Sequence, residues 1–108
     1  AYNGPSIVFC YAPCINHGIN MSKSQVEMKR AVDAGYWPLY RFDPRKNEGE
    51  RFVWETKEPS ESYRDFILSE TRYNSLKKTS PEHAEALYEA SEQDAKRRME
   101  LHKKFTTV

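Results

Sequence analysis

The apolar run from Ser6 to Ala12 constrains the fold of this chain more than any other feature. It is almost continuously hydrophobic, and Gly4-Pro5 and Pro13 bound it on either side. An apolar run of this length without polar alternation is typical of a strand that is buried on both faces of a parallel sheet. The run therefore predicts a central strand and an α/β fold class.

The segment that follows this strand, residues 13–18, reads Pro-Cys-Ile-Asn-His-Gly and is called the cysteine turn below. Strands of open α/β sheets deliver their ligand-binding residues at their carboxyl ends. The cysteine turn lies at that end of the predicted strand. We therefore expect it to be the functional end of the chain.

A helix and further strands are predicted after the cysteine turn. Ser22 and Gln25 have the spacing of a capping box, and Gly35 can end the helix in a left-handed conformation. Residues 36–42 then read as a second strand, which completes a βαβ unit. Residues 51–57 alternate in polarity and could return as a hairpin strand.

Helical signals dominate after Pro59. Ser62 can cap one helix, and Ser80 followed by Pro81 starts a second, long helix that reaches about Phe105. The sequence thus predicts two to three strands, one crossover helix and two C-terminal helices. We divide it into a βαβ part, residues 1–59, and a helical extension, residues 60–108.

Composition restricts the partners of the chain. Its 108 residues carry a net charge of +1, which is far from the strongly basic balance of nucleic-acid-binding domains. The basic residues near the end, Lys96-Arg97-Arg98 and Lys103-Lys104, alternate with acidic ones, which favours a solvated helix face over a polyanion site. No apolar run approaches the ~18 residues of a membrane span. We expect a cytoplasmic protein without nucleic-acid or membrane partners.

The first residues carry a further expectation. The chain starts with Ala rather than Met and enters the predicted strand almost at once, without a secretory signal pattern. We expect it to be part of a larger protein.

Three roles are open for Cys14: a nucleophile, one ligand of a metal or cluster, or a small apolar filler. Cys10 is expected to be a filler because it lies inside the predicted strand. Four residues of strand span about 13 Å, too far for a disulfide unless the chain turns between the two cysteines, so we expect reduced thiols. The neighbouring His17 is disfavoured as a catalytic partner, since such partners are usually distant in sequence. His83 and His102 are expected to have surface or packing roles.

Specific stretches of the sequence resemble those of a known protein family. Two stretches and the short motif between them closely resemble the C-terminal end of pyruvate:ferredoxin (flavodoxin) oxidoreductases. The matching residues are Ile7-Val8-Phe9-Cys10-Tyr11-Ala12-Pro13-Cys14-Ile15-Asn16-His17-Gly18, Met21-Ser22-Lys23, and Ala34-Gly35-Tyr36-Trp37-Pro38-Leu39-Tyr40-Arg41-Phe42-Asp43-Pro44. Looser similarity continues through Glu70-x-Arg72-Tyr73 and Ser80-Pro81-Glu82.

The resemblance implies a fold and a cofactor site. It implies that residues 1–59 are the end of a three-layer thiamine-diphosphate-binding domain, and that Cys14 is the fourth ligand of a 4Fe-4S cluster whose other three cysteines lie upstream. Mg²⁺ and thiamine diphosphate would likewise be bound upstream. A single thiolate cannot hold such a cluster, so the chain by itself is expected to carry no cofactor and to be inactive.

The resemblance also implies an activity and partners. The parent enzyme would be a homodimer that converts pyruvate and coenzyme A to acetyl-CoA and carbon dioxide and reduces ferredoxin or flavodoxin. The alternative is a freestanding, non-catalytic interaction module in which four aromatic residues form a docking face. Those residues are Trp37, Tyr40, Trp54 and Tyr73.

Overall fold

Helices make up most of the structure, a computed structural model that describes residues 2–107. In chain order the helices and strands are α1 (Ser24–Asp33), β1 (Tyr40–Phe42), β2 (Phe52–Trp54), α2 (Tyr63–Leu68), α3 (Thr71–Asn74), α4 (Leu76–Thr79) and α5 (Pro81–Lys104). Short 3-10 turns lie at Ile15–His17, Met21–Lys23 and Phe105–Thr107. The chain is thus a small α/β unit, as predicted from the sequence, although more residues are helical than lie in strands.

Several helix boundaries follow the predicted signals. Gly35 has a φ of 78° just after α1, the Ser62 hydroxyl accepts a hydrogen bond from the Asp65 amide, and Pro81 is the first residue of α5. The capping box at Ser22 is wrong. Asn20 accepts the hydrogen bond from the Ser22 amide instead, over 3.1 Å, and opens a 3-10 turn that delays α1 by two residues.

The single helix predicted after Ser62 is broken in the structure. It forms α2, α3 and α4 in succession, because Glu70 adopts extended dihedrals, φ −101° and ψ 130°, between the first two. The Ser69 hydroxyl assists the break by donating to the Phe66 carbonyl over 2.6 Å. The break lets the Glu70 side chain enter the interior, where it is fully buried.

The sheet consists of two antiparallel strands. Tyr40 pairs with Trp54, Arg41 with Val53, and Phe42 with Phe52. The predicted hairpin is therefore confirmed, with strands shorter than expected. The predicted βαβ unit is wrong for this chain, because no strand precedes α1 within residues 2–107.

The apolar run that predicted a central strand is extended but unpaired. Its side chains at Ile7, Val8 and Phe9 are 77%, 82% and 73% exposed. A strand buried on both faces needs neighbours that receive its backbone hydrogen bonds and cover its side chains. The described part of the chain provides no such neighbour, so the prediction of a buried strand is wrong here.

The hydrophobic core lies between the helices. Phe66 and Ile67 of α2 are at its centre and are among the largest fully buried side chains. The remaining buried members come from α1, the following turn, the start of α2 and one face of α5: Ala31, Ala34, Tyr63, Ala84, Tyr88 and Ala95. The core draws residues from both sides of the predicted division at residue 59. Among residues 2–107, no helix is apolar and long enough to cross a lipid bilayer.

A second aromatic cluster attaches the hairpin to the end of α5. The His102 ring lies 5.8 Å from the Tyr40 ring and 6.0 Å from the Trp54 ring, between centroids, which is a packing role of the expected kind. Trp37 and Tyr73, by contrast, pack against the main core. The four aromatics of the alternative hypothesis therefore divide between two clusters and do not form one docking face.

We expect Phe66→Ala to lower the free energy of unfolding by about 3–5 kcal/mol, because the ring is completely buried and its removal leaves a cavity. Phe42→Ala is the matched control, since Phe42 is 56% exposed and its loss should cost about 0.5 kcal/mol or less. Urea unfolding followed by tryptophan fluorescence measures both. Equal costs would contradict this account of the core.

Candidate functional site

The cysteine turn is a single 3-10 turn with Cys14 at its entrance. Cys14 has extended dihedrals, φ −135° and ψ 147°, and its carbonyl accepts from the His17 amide over 2.9 Å. Gly18 ends the turn with a φ of 72°. The Cys14 thiol is free and half-buried, whereas Cys10 is exposed on the unpaired segment. Cys14 is therefore the cysteine that the fold places in a defined position.

Thr71, the first residue of α3, holds the end of the turn. Its hydroxyl donates to the Gly18 carbonyl over 2.9 Å. A Cβ atom at position 18 would lie only 2.1 Å from the Thr71 Cβ. Glycine is required here for two reasons, since the φ is left-handed and the approach of Thr71 leaves no space.

A buried carboxylate lies beneath the turn. Glu70 is 0% exposed, and each of its oxygens accepts a hydrogen bond: Oε1 from the Tyr11 hydroxyl over 3.1 Å, and Oε2 from Arg72 Nε over 2.6 Å. A buried charge is tolerated only when it is paired and hydrogen-bonded. Tyr11 and Arg72 meet that requirement.

The His17 side chain lies between Glu70 and Arg72. Its Nδ1 atom is 3.9 Å from Glu70 Oε2, and its Nε2 atom is 3.3 Å from an Arg72 guanidinium nitrogen. The ring is thus directed towards Glu70 and Arg72. This argues against the interpretation of Cys14 and His17 as a nucleophile and its base.

Tyrosines link this site to the core. Arg72 Nη2 donates to the Tyr36 hydroxyl over 3.0 Å, which lies 2.7 Å from the Tyr73 hydroxyl. The Arg72 guanidinium also stacks over the Tyr73 ring, 4.7 Å from its centroid. We call these six residues the Glu70 network: Tyr11, His17, Tyr36, Glu70, Arg72 and Tyr73.

The environment of the network raises the pKa of two of its phenols, Tyr11 and Tyr73. Burial raises the pKa of Tyr11, and the charge of Glu70 raises it further. Burial also raises the pKa of Tyr73, followed by the hydrogen bond with Tyr36. Because Tyr11 holds its proton, it remains a donor to the carboxylate across the physiological pH range.

The donor set limits what the site can bind alone. No three His, Cys, Asp or Glu side chains within the described residues, 2–107, lie close enough together to hold a metal ion. The cysteine turn offers one thiol, so any cluster bound there needs ligands from elsewhere. Glu70 and Arg72 were not assigned a role from the sequence. Their inclusion in the looser part of the resemblance was the only signal.

Comparison with known proteins confirms the resemblance. The chain is 56% identical over 106 residues to the pyruvate:ferredoxin oxidoreductase of Moorella thermoacetica, which covers 96% of this chain and 9% of that protein. It is 50% identical over 109 residues to the pyruvate-flavodoxin oxidoreductase of Klebsiella pneumoniae, covering 97% of this chain and 9% of that protein.

A relative with a different name is also similar. The mitochondrial pyruvate dehydrogenase (NADP+) of Euglena gracilis is 41% identical over 91 residues, which is 81% of this chain and 5% of that protein. No family model matches the chain. The chain thus spans a small fraction of the length of each of these relatives.

We expect Gly18→Ala to destabilise the chain by about 3 kcal/mol, because a left-handed alanine adds to an overlap with Thr71. Gly49→Ala is the matched control: Gly49 has a φ of 87° but open space around it, so only the backbone cost of about 1 kcal/mol remains. Urea unfolding compares the two. If both substitutions cost the same, the close approach of Thr71 has no energetic weight.

Stability should fall as the pH rises above 10.0, the ordinary pKa of tyrosine. The folded state keeps Tyr11 and Tyr73 protonated beyond that pH while the unfolded chain releases these protons, so ionisation favours unfolding. Tyr11→Phe and Tyr73→Phe should each reduce this alkaline loss, measured as the free energy of unfolding between pH 8 and 11.

Proposed function

Because this chain belongs, as a small segment, to the pyruvate:ferredoxin (flavodoxin) oxidoreductase family, we propose that it is the C-terminal part of such an enzyme. The whole enzyme would convert pyruvate and coenzyme A to acetyl-CoA and carbon dioxide and pass two electrons to ferredoxin or flavodoxin. The names of the relatives support the oxidoreductase class and the substrate pyruvate. We further propose a cytoplasmic homodimer.

Within that enzyme we propose Cys14 as one ligand of a 4Fe-4S cluster. The observation that carries this proposal is the position of its thiol: half-buried, unpaired, and at the entrance of a turn that the Glu70 network holds. Thiolate sulfur is the protein donor that such clusters require. One thiol fits one coordination position, and the other three ligands would come from the rest of the polypeptide.

The cluster would supply one-electron transfer between the thiamine diphosphate and the external carrier. This chain contributes no residue that we assign to pyruvate. Its own residues orient the thiol: His17 and Gly18 close the turn by backbone hydrogen bonds, and Thr71 holds the Gly18 carbonyl. Cys14 is thus a cofactor ligand in this proposal, not a nucleophile.

The unpaired apolar run fits the same proposal. Ile7, Val8 and Phe9 are exposed here, and their backbone groups have no ladder partner. We propose that residues 6–12 pair as a strand with the preceding part of the enzyme, in a three-layer thiamine-diphosphate-binding domain that also holds Mg²⁺. Residues 60–108 would form a helical extension on that domain. Pairing would cover the exposed side chains and satisfy the backbone groups.

Cys14→Ser in the full-length enzyme tests the ligand role. We expect iron content to fall by about four atoms per chain, the loss of one 4Fe-4S cluster, together with the electron paramagnetic resonance signal of that cluster and most of the turnover. Cys10→Ser is the matched control and should retain all three, because Cys10 lies outside the turn and serine replaces only its sulfur atom with oxygen. Wild-type iron content and spectrum in Cys14→Ser would refute the ligand role.

A further inference from the structure

We propose that Glu70 is a positioning residue for the Cys14 thiol. Its buried carboxylate, contributed by the helical half of the chain, contacts residues on both sides of Cys14: it accepts a hydrogen bond from Tyr11 and lies 3.9 Å from the His17 ring. The inference rests on the proposed ligand role of Cys14. It goes further by naming a residue remote in sequence that sets where the thiol lies.

The geometry of the contacts carries this inference. Tyr11 and His17 lie three residues before and three residues after Cys14. Tyr11 donates to one oxygen of Glu70, a contact between residues 59 apart in sequence, and the His17 ring approaches the other oxygen. Arg72 then bridges Glu70 and His17. One carboxylate therefore spans the whole segment that contains the thiol.

The turn has few other attachments. Ile15, directly after Cys14, is 73% exposed, and Asn16 is exposed as well. Apart from the Thr71 hydroxyl, the polar contacts that join the turn to the helices converge on Glu70 and Arg72. Without these contacts, the Thr71 hydroxyl would be the remaining polar attachment of the turn to the helices within the described residues, beside the packing of Tyr11 on Tyr36 and Trp37.

The stability of the fold does not by itself explain why the charged Glu70 side chain is buried at this position. A buried ion pair is often no more stabilising than apolar side chains of similar size, because desolvation offsets the attraction. Directional hydrogen bonds, however, fix an orientation that apolar packing leaves free. Removing a group that orients a metal ligand through a hydrogen bond typically changes the metal affinity 10–100-fold. Glu70 has the position and the contacts of such a group.

Glu70→Gln in the full-length enzyme is the test, with Glu85→Gln as the matched control. Glutamine keeps the size of the side chain but removes the charge and one acceptor. Glu85 makes the same kind of ion pair, with Arg64, on an exposed surface of α5. Both variants are compared with the wild type at equal folded content, judged by circular dichroism and thermal unfolding.

Two measurements report on the thiol without relying on turnover. The first is the rate of iron loss from one cluster to a chelator, with its electron paramagnetic resonance line shape. The second is the iodoacetamide alkylation rate of Cys14 in the iron-depleted enzyme, resolved by peptide mass spectrometry. We expect Glu70→Gln to accelerate iron loss about 10-fold or more, alter the signal of that cluster alone, and accelerate alkylation several-fold. Glu85→Gln should change none of these.

The outcomes separate this inference from the ligand role. Wild-type alkylation and wild-type cluster loss in Glu70→Gln would overturn the positioning role, even where Cys14→Ser removes the cluster. Faster alkylation in Glu70→Gln, together with an intact cluster in Cys14→Ser, would refute the ligand role and retain the positioning of the thiol. If Glu70→Gln fails to fold, Tyr11→Phe removes one hydroxyl from the network. Faster alkylation in Tyr11→Phe then supports the inference, and an unchanged rate overturns it.

Discussion

The buried carboxylate of Glu70 is the interaction on which the arrangement of this chain depends. A carboxylate that is completely removed from water must be given donors, and Tyr11 and Arg72 are the donors that it has. Tyr11 belongs to the N-terminal segment and Arg72 to the helical part. Satisfying one charge therefore joins two distant parts of the chain, with Cys14 between them.

The hydrophobic core and the Glu70 network stabilise different aspects of the structure. Phe66 and Ile67 bring the helices together through apolar burial, which is strong but does not select an orientation. The break between α2 and α3 then turns Glu70 inwards, next to the cysteine turn. Hydrogen bonds are directional, so this second layer of contacts determines where the thiol lies. The hairpin is attached to the end of α5 through His102.

Local signals in the sequence predicted local structure well. Gly35, Ser62 and Pro81 each mark a helix boundary because capping depends on a few neighbouring residues. The prediction of a buried strand at residues 6–12 was wrong for the opposite reason. A strand exists only when another strand lies beside it, and hydrophobic pattern alone does not supply that partner. The same pattern therefore predicted a strand that the described part of the chain does not pair.

The sequence by itself determined several helix boundaries, the hairpin and, through the motif around Cys14, the family resemblance. These depend on local chemistry or on the order of residues. Only the tertiary structure revealed the role of Glu70, because an isolated glutamate in a sequence reads as a surface residue. Its burial results from the break after Ser69 and from a donor, Tyr11, that lies 59 residues away in the chain. Contacts over that separation follow from packing, which no local pattern specifies.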